Sequence, residues 1–112
     1  MRKWIGMPQA IFTCRTIDGK DVTLNRDRYD NHIMLEHPEL SRDYDDPPSQ
    51  IEHALMNAAK VTPGKGKAKI YIGPPVQANP PAGAQQMYVV ILPESNGNGW
   101  WVVTAYAQIL IW

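Results

Sequence analysis

From Lys65 onward apolar and polar residues alternate, whereas the stretch before it repeats its apolar positions at spacings of three and four, so a helical half precedes a strand half. Ahead of both, "AIFTCRTIDGKDVTL" holds two β-favouring runs on either side of Asp18-Gly19, a dipeptide suited to a tight turn, and predicts a short hairpin. In "NRDRYDNHIMLEH" Asn25 or Asp27 is placed to cap a helix, and Pro38 disfavours helical geometry at His37. Those limits predict a first helix from Asp27 to Glu36. "SRDYDDPP" is polar and ends in prolines, as a loop does. In "SQIEHALMNAAKVTPG" Ser49 and Glu52 have capping-box spacing, Ile51, Leu55 and Ala58 form one stripe, and Pro63-Gly64 closes the second helix.

In the strand half, "KAKIYIG" sets Lys67, Lys69 and Tyr71 against Ile70 and Ile72, the alternation of a half-buried strand. Residues 73–86, "GPPVQANPPAGAQQ", contain four prolines and two glycines and read as a flexible excursion between strands. "MYVVIL" and "WWVVTAY" flank the turn "PESNGNG" and predict an antiparallel pair, which "AQILIW" extends or edges. The expected fold class is α+β: an N-terminal hairpin and two helices packed on a mainly antiparallel four-stranded sheet. At 112 residues the chain fits one domain, 1–112, with residues 1–10 as a tail and 73–86 as a Pro/Gly-rich loop.

Composition narrows the class. With 44% hydrophobic and 20% charged residues the chain reads as an ordinary globular protein. Eleven basic and eleven acidic side chains cancel, which weighs against a dedicated nucleic-acid binder without excluding a local basic patch. The lone Cys14 has no partner for an internal disulfide or a cysteine zinc site, so a reducing compartment is expected. The start "MRKWIGMPQA" lacks an apolar run of signal-peptide length, and no segment approaches the ~20 apolar residues of a membrane span. A cytoplasmic protein without membrane partners is the expectation.

Candidate chemistry centres on "HIMLEHPEL". Arg28, His32 and Glu36 are spaced by four, so on a helix they share a face and the carboxylate can orient the imidazole. His32 and His37 flank the buried edge of that helix and are the side chains suited to proton exchange near neutrality. The plainer account makes His32 part of a solvated charge ladder and His37 a cap of the last helical turn. Thr104 and Tyr106, two apart on a strand, project from one face, as ordinary sheet residues also do. Lys65, Lys67 and Lys69 suit phosphate contacts, or equally a lysine-protected strand edge. No HExxH, GxxxxGK or GxGxxG motif occurs, so neither a metal nor a nucleotide cofactor is expected.

Taken in order, "RYDNHIMLEHPEL", "IEHALMNAAKV", "KIYIG", "MYVVIL" and "GWWVVTAY" resemble the phage-associated small nucleases of the barnase, EndoU, colicin and RelE-like superfamily. The resemblance runs from Asp21 to Tyr106, and its most specific pieces are the "HI...HPEL" helix end and the terminal "VVTAY" strand. It implies a barnase- or RelE-like layout and a small endoribonuclease, metal-independent, of a toxin or phage system. It implies catalytic roles for His32, His37, Thr104 and Tyr106, and substrate-binding charge from Arg28, Lys67 or Lys69. RNA is the implied substrate, and an antitoxin or immunity protein the implied partner. Metal-free RNA cleavage needs a base for the 2′-hydroxyl, an acid for the leaving 5′-oxygen and donors around the phosphorus, which these residue types supply. The contrasting expectation is a non-catalytic binding or inhibitor protein of phage or mobile-element origin, supported by zero net charge and by four Trp and five Tyr, side chains favoured in interfaces.

Overall fold

A tight turn at Asp18-Gly19 reverses the chain between β1 (Ala10–Arg15) and β2 (Asp21–Asn25), with Gly19 at φ +87°, a conformation that suits glycine. The turn is held by a polar cluster. The Thr16 hydroxyl, the Lys20 ammonium and the Tyr71 hydroxyl all donate to the Asp18 carboxylate at 2.6 Å. These observations come from a computed structural model, which describes residues 9–110; most of the expected N-terminal tail, residues 1–8, lies outside them.

The expected four-stranded sheet with two helices is corrected on several counts. Among the described residues the sheet has seven strands, in the order β1-β2-β7-β6-β4-β3 with β5 also paired to β6. The remaining strands are β3 (Lys60–Pro63), β4 (Lys69–Ile72), β5 (Val76–Gln77), β6 (Ala84–Pro93) and β7 (Trp100–Ile109). The hairpin joins this sheet through a parallel contact of β2 with β7, Val22 opposite Trp100 and Thr23 opposite Trp101, while the other pairings are antiparallel. The 73–86 excursion is not free of structure, because β5 and the first residues of β6 lie inside it. It is fastened to the helical region: the Tyr44 hydroxyl donates to Gln85 at 2.7 Å, Gln85 donates to Asp43 at 3.2 Å, and the Asn79 amide donates to the Asp43 carbonyl at 2.8 Å.

The helices are short. The run 26–36 is helical as expected but not uniformly α: α1 (Arg26–Arg28) and α2 (Met34–Glu36) flank a π-helical turn, Tyr29–Ile33, in which the Met34 amide donates to the Tyr29 carbonyl five residues back. His37 leaves the helix at φ −133°, ψ 61°, where Pro38 forbids another turn. Part of the expected "SRDYDDPP" loop is instead α3 (Glu39–Asp43). The second helix, α4 (Pro47–Met56), is capped by Asp46, which accepts from the Ser49 amide at 3.3 Å, with Pro47 in the first turn. It ends before the expected Pro63-Gly64 stop, because residues 60–63 pair with β4 as an edge strand.

Ile51, Ala54 and Leu55 of α4 press on the sheet face made by Tyr71, Met87, Val89, Ile91, Val102 and Ala105, all buried. A Cβ at Gly73 would lie 2.8 Å from the Ala54 Cβ, so glycine permits the close approach of helix and chain. In β4 the buried side is Tyr71, and Ile70 and Ile72 are half-buried on the other face. A tyrosine can be wholly buried here because its hydroxyl donates a hydrogen bond to the Asp18 carboxylate. No helix of the described residues is long and apolar enough to cross a membrane.

Candidate functional site

Along β6 the buried residues alternate strictly, Gln85, Met87, Val89 and Ile91, whereas on β7 buried Val102 and Ala105 are three apart. The register explains the break. Val90 pairs with Thr104 and Ile91 with Val102, which leaves Val103 opposite no residue of β6, a β-bulge. The extra residue inverts the phase of the strand, so Thr104 and Tyr106 face away from the core and share the α4-free face with their cross-strand partners Val90 and Tyr88.

Arg28 supports the bulge. β2 pairs β7 only at Trp100 and Trp101, and beyond that point the helical run 26–36 lies against β7 in its place. Arg28 Nε donates to the Val103 carbonyl at 2.7 Å, and its guanidinium carbon sits 5.2 Å from the centre of the Trp101 ring. The guanidinium thus satisfies a carbonyl that no β2 residue reaches and covers an otherwise open strand edge.

At the other end of the run, the His37 ring lies 5.7 Å from that of Tyr106, which stacks on Tyr88 at 5.3 Å with planes 13° apart. Glu39 holds His37 Nδ1 at 3.3 Å, and Nε2 has no hydrogen-bond partner among the described residues. Between Arg28 and His37 along β7, the Thr104 hydroxyl is shut off from solvent and bonds to nothing among the described residues. An unmatched buried hydroxyl is costly and uncommon.

The remaining candidates separate. His32 is bound to Glu36, Nε2 to Oε1 at 3.2 Å, as the four-residue spacing predicts, while Arg28 reaches instead to Val103 and Trp101. Lys67 is exposed and lines an open cleft of about 570 Å³ with Leu92, Pro93, Glu94, Ser95 and Trp101. Lys69 is opposite Ile91 and therefore belongs to the Tyr71 side of the sheet, away from Thr104 and Tyr106. No known protein family, curated protein or solved structure matches the chain.

One face of β6 and β7 thus carries, in order, Trp101 under Arg28, the Thr104 hydroxyl, and the Tyr88–Tyr106 stack beside His37. Sequence reasoning missed Trp101, Tyr88, Glu39 and the bulge. Glu39 stands two residues after a histidine across a proline, and that spacing was the signal available. Among the described residues no three His, Cys, Asp or Glu side chains form a metal-ligand group.

Proposed function

We propose that the chain is a small endoribonuclease that cleaves RNA by attack of a 2′-hydroxyl on the adjoining phosphate, without needing a metal ion. The observation that carries the reading is the juxtaposition of an imidazole, a phenol and an unbonded hydroxyl: His37 against Tyr106, with Thr104 two residues away on the same strand face. His37 Nε2 takes the proton from the 2′-oxygen, while Glu39 at Nδ1 fixes the ring. The 2′-oxygen bonds to phosphorus, the bond from phosphorus to the 5′-oxygen breaks, and Tyr106 supplies the proton to that leaving oxygen. The products are a 2′,3′-cyclic phosphate and a 5′-hydroxyl. Thr104 donates to a non-bridging oxygen, and the Arg28 guanidinium, whose Nε alone is committed to Val103, offers its remaining N–H groups to the phosphate.

Stacked aromatics on a sheet face are a sequence-tolerant platform for unpaired bases, which suits single-stranded RNA. The lone Cys14, whose thiol burial and the nearby Glu52 charge push up to about 11, stays protonated and suits a reducing, cytoplasmic setting. As a toxin, such an enzyme requires an antitoxin or immunity protein, and the aromatic face is the surface to cover. The same half-buried aromatics favour a second reading, a binding protein that occupies a partner through this face without chemistry. Incubating the purified chain with total RNA in EDTA separates them: the nuclease yields fragments ending in 2′,3′-cyclic phosphate, the binding protein leaves RNA whole.

A further inference from the structure

We infer that Asn98, in the turn between β6 and β7, is a site of spontaneous deamidation and isoaspartate formation, and that the same turn protects its neighbour Asn96. The inference is independent of the nuclease reading. Of the six asparagines in the chain, Asn96 and Asn98 alone precede glycine. The turn needs both glycines: Gly97 and Gly99 adopt φ of +79° and +89°, where a side chain is strained. The fold therefore sets after each asparagine the residue that least shields its own amide nitrogen. Residues 95–98 are exposed, so water reaches both side chains.

The chemistry is an internal displacement. The backbone nitrogen of the following residue loses its proton to hydroxide and attacks the asparagine Cγ. The new C–N bond closes a five-membered succinimide, and the side-chain nitrogen leaves as ammonia. Water then opens the ring at either carbonyl. One opening gives aspartate; the other gives isoaspartate, whose main chain runs through Cβ and Cγ.

Hydrogen bonds within the turn separate the two residues. The Gly97 amide donates to the Glu94 carbonyl at 3.0 Å, and Asn96 Oδ1 accepts from the Asn98 amide at 2.8 Å. For Asn96 the attacking nitrogen must give up a bond before it loses its proton, and the side chain is held in place by another. At Asn98 neither restraint exists. Neither the Gly99 amide nor the Asn98 carboxamide has a hydrogen-bond partner among the described residues, and Gly99 contributes only its carbonyl, which accepts from Glu94 at 2.9 Å. Reaction there adds one negative charge to a chain of zero formal net charge. Isoaspartate also lengthens the main chain just before Gly99, whose carbonyl closes the turn and whose successor, Trp100, opens the contact with β2 opposite Val22.

The test ages the purified chain in mildly alkaline buffer at body temperature, folded in one arm and in guanidinium chloride in the other. A glutamate-specific protease, used at mildly acidic pH, then releases the peptide that begins at Ser95. Electron-transfer mass spectrometry locates each exchange of amide for acid and distinguishes isoaspartate from aspartate. In the folded chain Asn98 is expected to convert about fivefold faster than Asn96, the factor that one typical net hydrogen bond contributes. In denaturant, where both asparagines simply precede glycine, the two rates should converge. Asn98→Gln should abolish the fast conversion, because its ring closure is six-membered and far slower, while Asn96 stays slow. Asn96 converting as fast as Asn98 in the folded chain, a gap that persists unchanged in denaturant, or an Asn98 that is inert until the chain is unfolded would each overturn the inference.

Discussion

Arg28 and Val103 stand 75 residues apart in the chain and meet at 2.7 Å, guanidinium nitrogen to carbonyl oxygen, where β7 makes its bulge. The bond ties the helical run that carries His37 to the strand that carries Thr104 and Tyr106. Arg28→Met keeps the apolar stem and removes the donor, and should cost about 1.5–3 kcal/mol in urea unfolding, the range for a hydrogen bond to a charged group. RNA cleavage should fall further than stability accounts for. Unchanged unfolding would show that the bulge needs no such support.

Thr104→Val is expected to move stability and activity in opposite directions. The buried hydroxyl has no partner among the described residues, so an isosteric methyl relieves a cost of about 1–3 kcal/mol and the midpoint of unfolding should rise or hold. Cleavage should drop, since the hydroxyl is assigned to the phosphate. A clear loss of stability would mean that Thr104 is bonded in the folded chain and is structural.

How far the sequence reached is visible at particular residues. Asp18-Gly19, the stop at Pro38 and the His32–Glu36 pair were legible because local chemistry alone decides them. Thr104 and Tyr106 were placed on one face by their two-residue spacing, yet the face they occupy depends on a bulge at Val103 that no local residue announces. Lys60–Pro63 reads as the end of a helix because Pro63-Gly64 is a stop signal, but pairing with β4 outweighs that signal. Tyr71 and Ile70 exchanged sides for a similar reason: the hydroxyl of Tyr71 finds Asp18, 53 residues away, and a distant partner leaves no local pattern.

Gly73→Ala should destabilise by about 1–3 kcal/mol, since the new methyl would stand 2.8 Å from the Ala54 Cβ and 3.1 Å from its Cα. Pairing it with Ala54→Gly should recover part of that loss, after allowing about 1 kcal/mol for glycine inside α4. Strict additivity of the two changes in denaturant titrations would remove the packing explanation.

Asp18 gives the fold an acid-sensitive turn. Burial alone would raise its carboxyl, but hydrogen bonds from Lys20, Thr16 and Tyr71 outweigh it and hold the group down at about 2. Because the folded chain favours the ionised form more than the unfolded chain does, the contribution is complete above the ordinary carboxylate range near 3.9 and is lost as pH falls from there toward 2. Asp18→Asn should therefore melt below wild type at pH 7, and the difference should shrink through that window. A difference that stays constant down to pH 2 would exclude the ionised carboxylate as its source.

Cleavage of a single-stranded RNA in EDTA by wild type, His37→Ala and His32→Ala, each first checked for an unchanged melting temperature, tests the proposed site most directly. His37 faces Tyr106, whereas His32 is paired on its own helix with Glu36. The account predicts 2′,3′-cyclic phosphate ends from wild type, a rate lowered by at least ~10²-fold in His37→Ala, in line with the loss of a general base, and a rate within about threefold of wild type in His32→Ala. Full activity in a folded His37→Ala chain, or cleavage that appears only when magnesium replaces EDTA, would contradict it.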